Sequence, residues 1–560
     1  MTSTADLVTP VDLYEDAADR LRSRLGRSAA ASLSPSTRTA LDLFSEAPQE
    51  AIAVYYFDVT LSYGDIDRLS DRLAGRLALG GVGRGDRVAV ILQNVPQFMI
   101  VTVAIWKLGA IVVSLNPMYR TPELLKLFRD CQPKAVICHD DQWETVYAAA
   151  DELNVPLIFW TSAREFQSRN DARVLPAPNS APADRALANV FVDATSAALP
   201  RLSIDPNEIG LLLYTSGTTG VPKGAMLTHR NLVANAEICC AHLQLSTRSR
   251  IFGVAPLFHI TGFELQLVAA FARAASVILT YRFHPQVVLD AFLERQPTFA
   301  VGAITAFIAL MNQPNAEERH FASFAHIYSG GAPIAPSVVD AFGKRFGRAI
   351  RSSYGMTELT SASHLAPNEG RIPIDPQSGA LSIGKPTPGT DVIVVDDTRR
   401  PLGAGEHGEV VVRGPGVMNG YWRKPTETAE MLVDGWLHSG DIGFVDEEGW
   451  FYLIDRKKDM ISASGFKVWP REVEDAIYAF PGVREVAVVG AADPYRGETV
   501  IAFVSAQPGV AIDVEALSRF CRERLAAYKC PSEIRVLADL PKTESGKITR
   551  NTLRDSIRDR

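Results

Sequence analysis

The chain has 560 residues, of which 47% are hydrophobic and 22% charged, with a formal net charge of −7. That length exceeds what one hydrophobic core supports, so at least two domains are expected. From Asp459 onward 15 basic residues face 15 acidic ones, and the remainder is mildly acidic, so neither part has the basic excess of a nucleic-acid binder. No run of about 18 apolar residues offers a membrane span. Met1–Arg20 has acidic residues and no apolar stretch of signal-peptide length. The six cysteines (Cys131, Cys138, Cys239, Cys240, Cys521, Cys530) show neither metal spacing nor disulfide-scaffold density. The expectation is a cytoplasmic enzyme with reduced thiols.

In chain order, Val88–Leu92 reads as a short apolar strand. Gln93-Asn94-Val95-Pro96 and a helical apolar stretch through Trp106 follow it. Gly109–Val113 and Ala135–Cys138 repeat the strand signal. Strands alternating with helices predict an α/β fold with a mostly parallel sheet. Residues 171–205, rich in Ala, Pro, Asp and Ser, are expected to form a surface connection. Over 380–455 the runs Val392–Val395 and Glu409–Val412 sit between glycine-containing turns, predicting hairpins or a small barrel. A compact α/β unit then follows. Helix-like Arg471–Phe480 and Val514–Tyr528 surround strand-like Glu485–Val489 and Thr499–Val504. The boundary is set at Arg456-Lys457-Lys458, dividing the chain into a large domain (1–455), a hinge (456–458) and a small domain (459–560).

Two segments carry the chemistry. Tyr214-Thr215-Ser216-Gly217-Thr218-Thr219-Gly220-Val221-Pro222-Lys223-Gly224 packs four Ser/Thr hydroxyls and three glycines around one lysine. Glycines let backbone N–H groups approach an anion closely, hydroxyls donate hydrogen bonds, and Lys223 supplies charge. It is not a Walker A loop, because Pro222 stands where a glycine should precede the lysine. Far downstream, in Pro541-Lys542-Thr543-Glu544-Ser545-Gly546-Lys547-Ile548-Thr549-Arg550, one lysine follows a Ser-Gly turn.

Together with Thr228-His229-Arg230-Asn231 and Tyr354-Gly355-Met356-Thr357-Glu358, these motifs resemble the adenylate-forming superfamily: acyl-CoA synthetases, luciferase and peptide-synthetase adenylation domains. The resemblance runs from about Leu41 to Arg550. It implies a large N-terminal α/β domain with a small β-rich subdomain, and a small mobile C-terminal α/β domain. It further implies ATP contacts from Thr215, Ser216, Gly217, Thr218, Thr219, Gly220 and Lys223. Gly331, Ala332, Pro333, Ser353, Tyr354, Gly355, Met356 and Thr357 would line the nucleotide, with Tyr354 against adenine and Thr357 at the α-phosphate. Asp441, in Trp436-Leu437-His438-Ser439-Gly440-Asp441, would accept the ribose hydroxyls, and Arg456 would complete those contacts. Glu358 and Thr215 would hold Mg²⁺, a hard cation suited to one carboxylate plus substrate phosphates. His259, in Ala255–Gly262, would guard an acyl pocket lined by Gly302, Ala303 and Gly330. Lys458 would be the hinge pivot, and Ser464, Gly465 and Phe466 would line the coenzyme A tunnel. One departure is visible: Ser352 stands two residues before the tyrosine, where many relatives carry an amide.

By this resemblance, a carboxylate and ATP·Mg²⁺ give acyl-AMP and pyrophosphate, and the coenzyme A thiol then displaces AMP. The attack sets one anion on another, so positioning and a cation should dominate, and Lys547 is the expected catalytic residue. An acyl-AMP ligase serving a carrier protein, a luciferase-type oxygenase and a non-catalytic nucleotide sensor are the competing readings. Absence of an inserted segment between Gly408 and Arg471 favours coenzyme A. With no basic residue in Ile260–Leu267 or Phe299–Phe307, the expected substrate is an apolar monocarboxylic acid larger than acetate, either a medium or long fatty acid or a ring-bearing acid. Oligomeric state stays open, a homodimer included.

Overall fold

The computed structural model describes residues 10–26, 36–177, 179, 181–193, 202–215, 222–456, 459–463, 466–493, 497–543 and 547–558. Apolar runs form the interior strands. Leu157–Thr161, Ala135–His139, Arg87–Ile91, Ile111–Ser114, Ile209–Thr215 and Lys223–Thr228 make one six-stranded sheet. All its pairs are parallel except the last. A nine-stranded sheet runs from Lys385–Pro386 through Ser361–Leu365, Ile350–Met356, His326–Gly330, Phe299–Gly302, Arg250–Phe252, Ser276–Leu279 and Ile52–Tyr56 to Val59–Ser62. The helix Pro96–Lys107 is apolar on every side and buried from Pro96 to Trp106, as expected of a helix enclosed within the core. Proline at its first turn starts it without wasting a donor. The helix His229–His242 begins with a Thr228–Asn231 capping box, which satisfies two otherwise orphaned backbone donors.

The β-rich expectation for 380–455 takes the form of a five-stranded antiparallel sheet. Asp391–Val395, Gly408–Arg413, Trp436–Val445 and Leu432–Val433 lie in that order, and Phe451–Arg456 pairs with Trp436–Val445. The C-terminal sheet joins Phe466–Val468, Ile461–Ala463, Gly497–Ala506 and Val483–Asp493, with Glu533–Leu537 parallel to Gly497–Ala506. Helices Pro470–Tyr478 and Val514–Arg522 bury Val473, Ile477, Leu517 and Cys521 against it. All six cysteines are free thiols.

Two segments add to the sequence reading. The surface connection within 171–205 contains a docked helix, Leu187–Val192. Its Leu187, Val190 and Phe191 fall on one helical face and are buried. The first forty residues, silent in the sequence, include the helix Pro10–Arg24. Its Tyr14 and Ala18 pack with Ile393, Val395, Val411 and Trp436 on the five-stranded sheet. Tyr14 meets Trp436 edge-on at 5.5 Å, while Arg413 joins Glu15 to Asp391 and stacks 4.5 Å from the Trp436 ring.

Candidate active site

The strands Ile209–Thr215 and Lys223–Thr228 are adjacent and antiparallel, with Thr215 opposite Lys223. They therefore bracket the expected phosphate loop at its two ends. Ser216, Gly217, Thr218, Thr219 and Gly220 lie outside the described residues. The Thr215 hydroxyl donates to the Lys223 carbonyl at 3.4 Å. The segment Asn419–Trp422 runs along the other side of Lys223–Thr228, through Met226 N–H to Gly420 O (2.9 Å) and Trp422 N–H to Gly224 O (2.8 Å). That pairing sets the Tyr421 ring 5.3 Å from Lys223 Nζ and its hydroxyl 2.7 Å from Glu358 Oε1, to which it donates.

Glu358 sits in the short 3₁₀ turn Thr357–Leu359, between the antiparallel strands Ile350–Met356 and Ser361–Leu365. Thr357 and Glu358 are buried. Gly355 is required there, since a Cβ would collide with the Ser361 carbonyl. Tyr354, also buried, donates to Asp441 Oδ2 at 2.6 Å. Asp441 follows Gly440, whose φ of +70° suits glycine. Glu409 Oε1 accepts the Gly440 N–H at 3.0 Å, and the Ser439 hydroxyl accepts the Asp441 N–H at 3.1 Å. Asp441 lies opposite Arg456 in register; the Arg456 side chain is outside the description. Ser352, the departure from the expected amide, donates instead to Ser382 O at 2.6 Å and ties two segments together.

His259 caps the short helix Ile260–Gly262, with Nδ1 accepting the Thr261 N–H at 3.3 Å. Its pKa is pushed down to about 3, first by burial and then by the positive charge of Lys547. The ring is thus a neutral group with its proton on Nε2. A π-helical turn, Phe263–Val268, follows at once, and such turns recur at functional sites.

Lys547 reaches this same place from the C-terminal domain. Its carbonyl accepts the Thr543 N–H at 2.7 Å, and its own N–H donates to the Thr543 hydroxyl at 3.1 Å. A Cβ built on Gly331 would lie 2.7 Å from Lys547 Cε and 3.1 Å from Nζ. Three residues on, Arg550 is held by Glu474 at 2.8 and 2.9 Å, by Asp455 at 3.2 Å and by Asp459 at 3.3 Å. Asp455 and Asp459 flank the expected hinge on its two sides. Burial opposes the Arg550 charge, but Glu474, Asp455 and Asp459 outweigh it and raise its pKa. Lys458, Ser464 and Gly465 lie outside the described residues, and for Phe466 only the backbone, opposite Ala463, is described.

Two of the glycines expected at the acyl pocket are closely packed on the side a Cβ would take. A Cβ on Gly302 would run into Val254 Cγ1, and one on Gly330 into the Ser353 hydroxyl. These glycines permit close packing with neighbouring chain segments. Ala303, Thr305 and Ala306 remain half-buried at the following helix Ile304–Met311. Ala332 is half-buried and Pro333 exposed next to Gly331. Tyr421, Glu409 and Arg550 had no assigned role in the sequence reading. Tyr421 sits in an ordinary Asn-Gly-Tyr-Trp turn, and its partner Glu358 is 63 residues away.

The residues expected to hold the metal are one carboxylate, Glu358, whose Oε1 accepts from Tyr421, and one hydroxyl, Thr215, which donates to the Lys223 carbonyl. Among the described residues no three or more His, Cys, Asp or Glu side chains gather as a metal group. Hard oxygen ligands of this kind fit Mg²⁺ only when substrate phosphates complete its shell.

The strand ends around the expected phosphate loop, the Tyr354–Asp441 pair and Lys547 beside Gly331 are the parts expected of a nucleotide-using ligase. The family profile described as AMP-binding enzyme matches residues 42–422, and that of the AMP-binding enzyme C-terminal domain matches residues 472–547. The chain belongs to the AMP-binding (adenylate-forming) enzyme family and is of the acyl-CoA synthetase type. It is 36% identical over 514 residues to a long-chain-fatty-acid–CoA ligase of Bacillus subtilis (strain 168), covering 90% of this chain and 91% of that protein. It is 34% identical to a feruloyl-CoA synthase of an Amycolatopsis species, covering 90% and 95%. Among solved structures, ATP-bound MatB from Rhodopseudomonas palustris is 27% identical, with TM-score 0.82 over 93% of this chain and 99% of that one. The apo form of the same protein gives 0.72 over the same shares. The chain is an AMP-forming acyl-CoA ligase.

Proposed function

We propose that the enzyme activates an apolar monocarboxylic acid, a medium or long fatty acid or a ring-bearing acid, through acyl-AMP to the coenzyme A thioester. The observation that carries this reading is the meeting of Lys547, Gly331 and His259, where the nucleotide-side and acyl-side segments join. In the first step a carboxylate oxygen bonds to the α-phosphorus of ATP and the α–β phosphoanhydride bond breaks, releasing pyrophosphate. Lys547 supplies the positive charge for the crowded anions, a contact made where charge develops. Tyr354 and Asp441 hold adenine and ribose, Thr357 contacts the α-phosphate, and Lys223 with its loop carries the β- and γ-phosphates. Mg²⁺, held through Glu358 and Thr215, would neutralise the triphosphate and the departing pyrophosphate.

In the second step the coenzyme A sulfur bonds to the acyl carbon, AMP leaves and the thiol proton passes to solvent. The domains assigned to 1–455 and 459–560 would rotate about Lys458, bringing Ser464–Phe466 to the tunnel. The approach of Lys547 to Gly331 supports an adenylating orientation here. No second carboxylate would find a basic partner in Ile260–Leu267 or Phe299–Phe307, and burying one unpaired costs several kcal/mol. The neutral His259 ring agrees with an apolar acyl entrance. Relatives named for a long-chain fatty acid and for ferulate support both branches of the substrate class. A thioester-formation screen over aliphatic, aryl and dicarboxylic acids tests it. Acetate or a short dicarboxylate with the highest specificity constant would overturn the substrate assignment, and AMP release without any need for coenzyme A would overturn the ligase reading.

A further inference from the structure

The hydroxyl and the ring of Tyr421 serve two different site residues. Its hydroxyl donates to Glu358 Oε1 at 2.7 Å, the short distance of a charge-assisted bond to a carboxylate. Its ring lies 5.3 Å from Lys223 Nζ, inside the range of about 6 Å for a cation–π contact. The side chain is buried, and a phenol carries its proton at neutral pH, so the hydroxyl is a donor to the carboxylate. Its backbone is fixed as well, since Asn419–Trp422 pairs with the strand that begins at Lys223. A tyrosine held for packing alone would need neither partner.

We propose that Tyr421 is a positioning residue that orients the Glu358 carboxylate toward the metal and steadies Lys223 toward the phosphates, coupling the two ends of one ATP·Mg²⁺ site. This rests on the reading of Glu358 as the metal carboxylate and Lys223 as the phosphate cation. One carboxylate oxygen receives the phenol, which fixes the plane of the group and the direction of the other oxygen. Phenylalanine would keep the ring under Lys223 and release Glu358, whereas leucine would release both.

The test uses the full chain and titration calorimetry of ATP at stepped free Mg²⁺, with AMP binding and thermal melting as controls. Tyr421→Phe should raise the Mg²⁺ concentration needed for half-maximal ATP binding about ten-fold, the scale of one lost charge-assisted hydrogen bond. AMP affinity, metal-free ATP affinity and melting temperature should stay near wild type. Tyr421→Leu should in addition weaken metal-free ATP binding. Glu358→Gln should shift the Mg²⁺ dependence at least as far, and Tyr421→Phe added to it should shift it no further, because the two act through one contact. If Glu358→Gln leaves the Mg²⁺ dependence unchanged, the metal reading fails and takes this proposal with it. If Glu358→Gln shifts it and Tyr421→Phe does not, the role of Tyr421 alone is overturned. Equal loss of AMP affinity and melting temperature in Tyr421→Phe would also overturn it, assigning the residue to packing.

Discussion

Lys547, on the C-terminal domain, lies over Gly331, on the loop after the strand His326–Gly330, so closely that a Cβ at 331 would sit 2.7 Å from its Cε. Gly331 also has φ of +77°, a conformation that costs a non-glycine residue about 1–3 kcal/mol. Both facts point to a place kept open for the lysine. Gly331→Ala should therefore slow acyl-AMP formation while sparing thioester formation from chemically prepared acyl-AMP. Pyrophosphate exchange and thioester assays on the same preparation measure the two; equal losses would assign Gly331 to folding.

Gly302 faces Val254, so Gly302→Leu is an overpacking change, a class that costs about 1–3 kcal/mol or more. It should lower the melting temperature and reduce activity on short and long acids alike. Ala303→Leu, at a half-buried position one residue on, should depress the specificity constant for the largest accepted acid more than for butyrate. Chain-length profiles of both variants would check this, and a profile unchanged by Ala303→Leu would remove that residue from the pocket.

His259 gives a pH signature. Its pKa falls from an ordinary value of about 6.5 to about 3 in the folded protein. Above pH 6.5 it is neutral in both states and contributes no pH dependence. As pH falls from about 6.5 toward 4 the unfolded chain takes up a proton that the folded chain refuses, so stability drops. Asparagine is a good helix cap, so His259→Asn can keep the Thr261 N–H satisfied while removing the titration. Melting temperatures measured from pH 7.5 to 4.5 should fall faster for wild type than for the variant. Parallel curves would contradict a neutral, desolvated imidazole.

Much of this fold was legible because short apolar runs such as Val88–Leu92 and Ala135–Cys138 announce interior strands and are bounded by turn residues. The helix Leu187–Val192 was not, because its short apolar face is embedded in Ala-, Pro- and Asp-rich sequence. Pro10–Arg24 was missed for a related reason: two of the residues it packs inward, Ala17 and Ala18, are alanines, and their partner Trp436 lies some four hundred residues away. Motif spacing pointed to Tyr354 and Asp441 separately, yet the hydrogen bond joining them spans 87 positions and leaves no local pattern. The close approach of Gly302 to Val254 was not legible either, because a glycine in the sequence does not reveal which way its vacant side faces. Arg550 closed a recognised motif, but its grip on Asp455, Asp459 and Glu474 joins segments far apart in the sequence and leaves no local pattern.

The most direct test is Lys547→Ala, assayed for both half-reactions. The account predicts that acyl-AMP formation falls by about 10²–10³ or more, the usual consequence of losing one preorganised electrostatic contact. Conversion of chemically made acyl-AMP and coenzyme A to thioester should remain near wild type, with melting temperature unchanged. Equal loss of both half-reactions, or retention of acyl-AMP formation, would contradict the role of Lys547 on which the account stands.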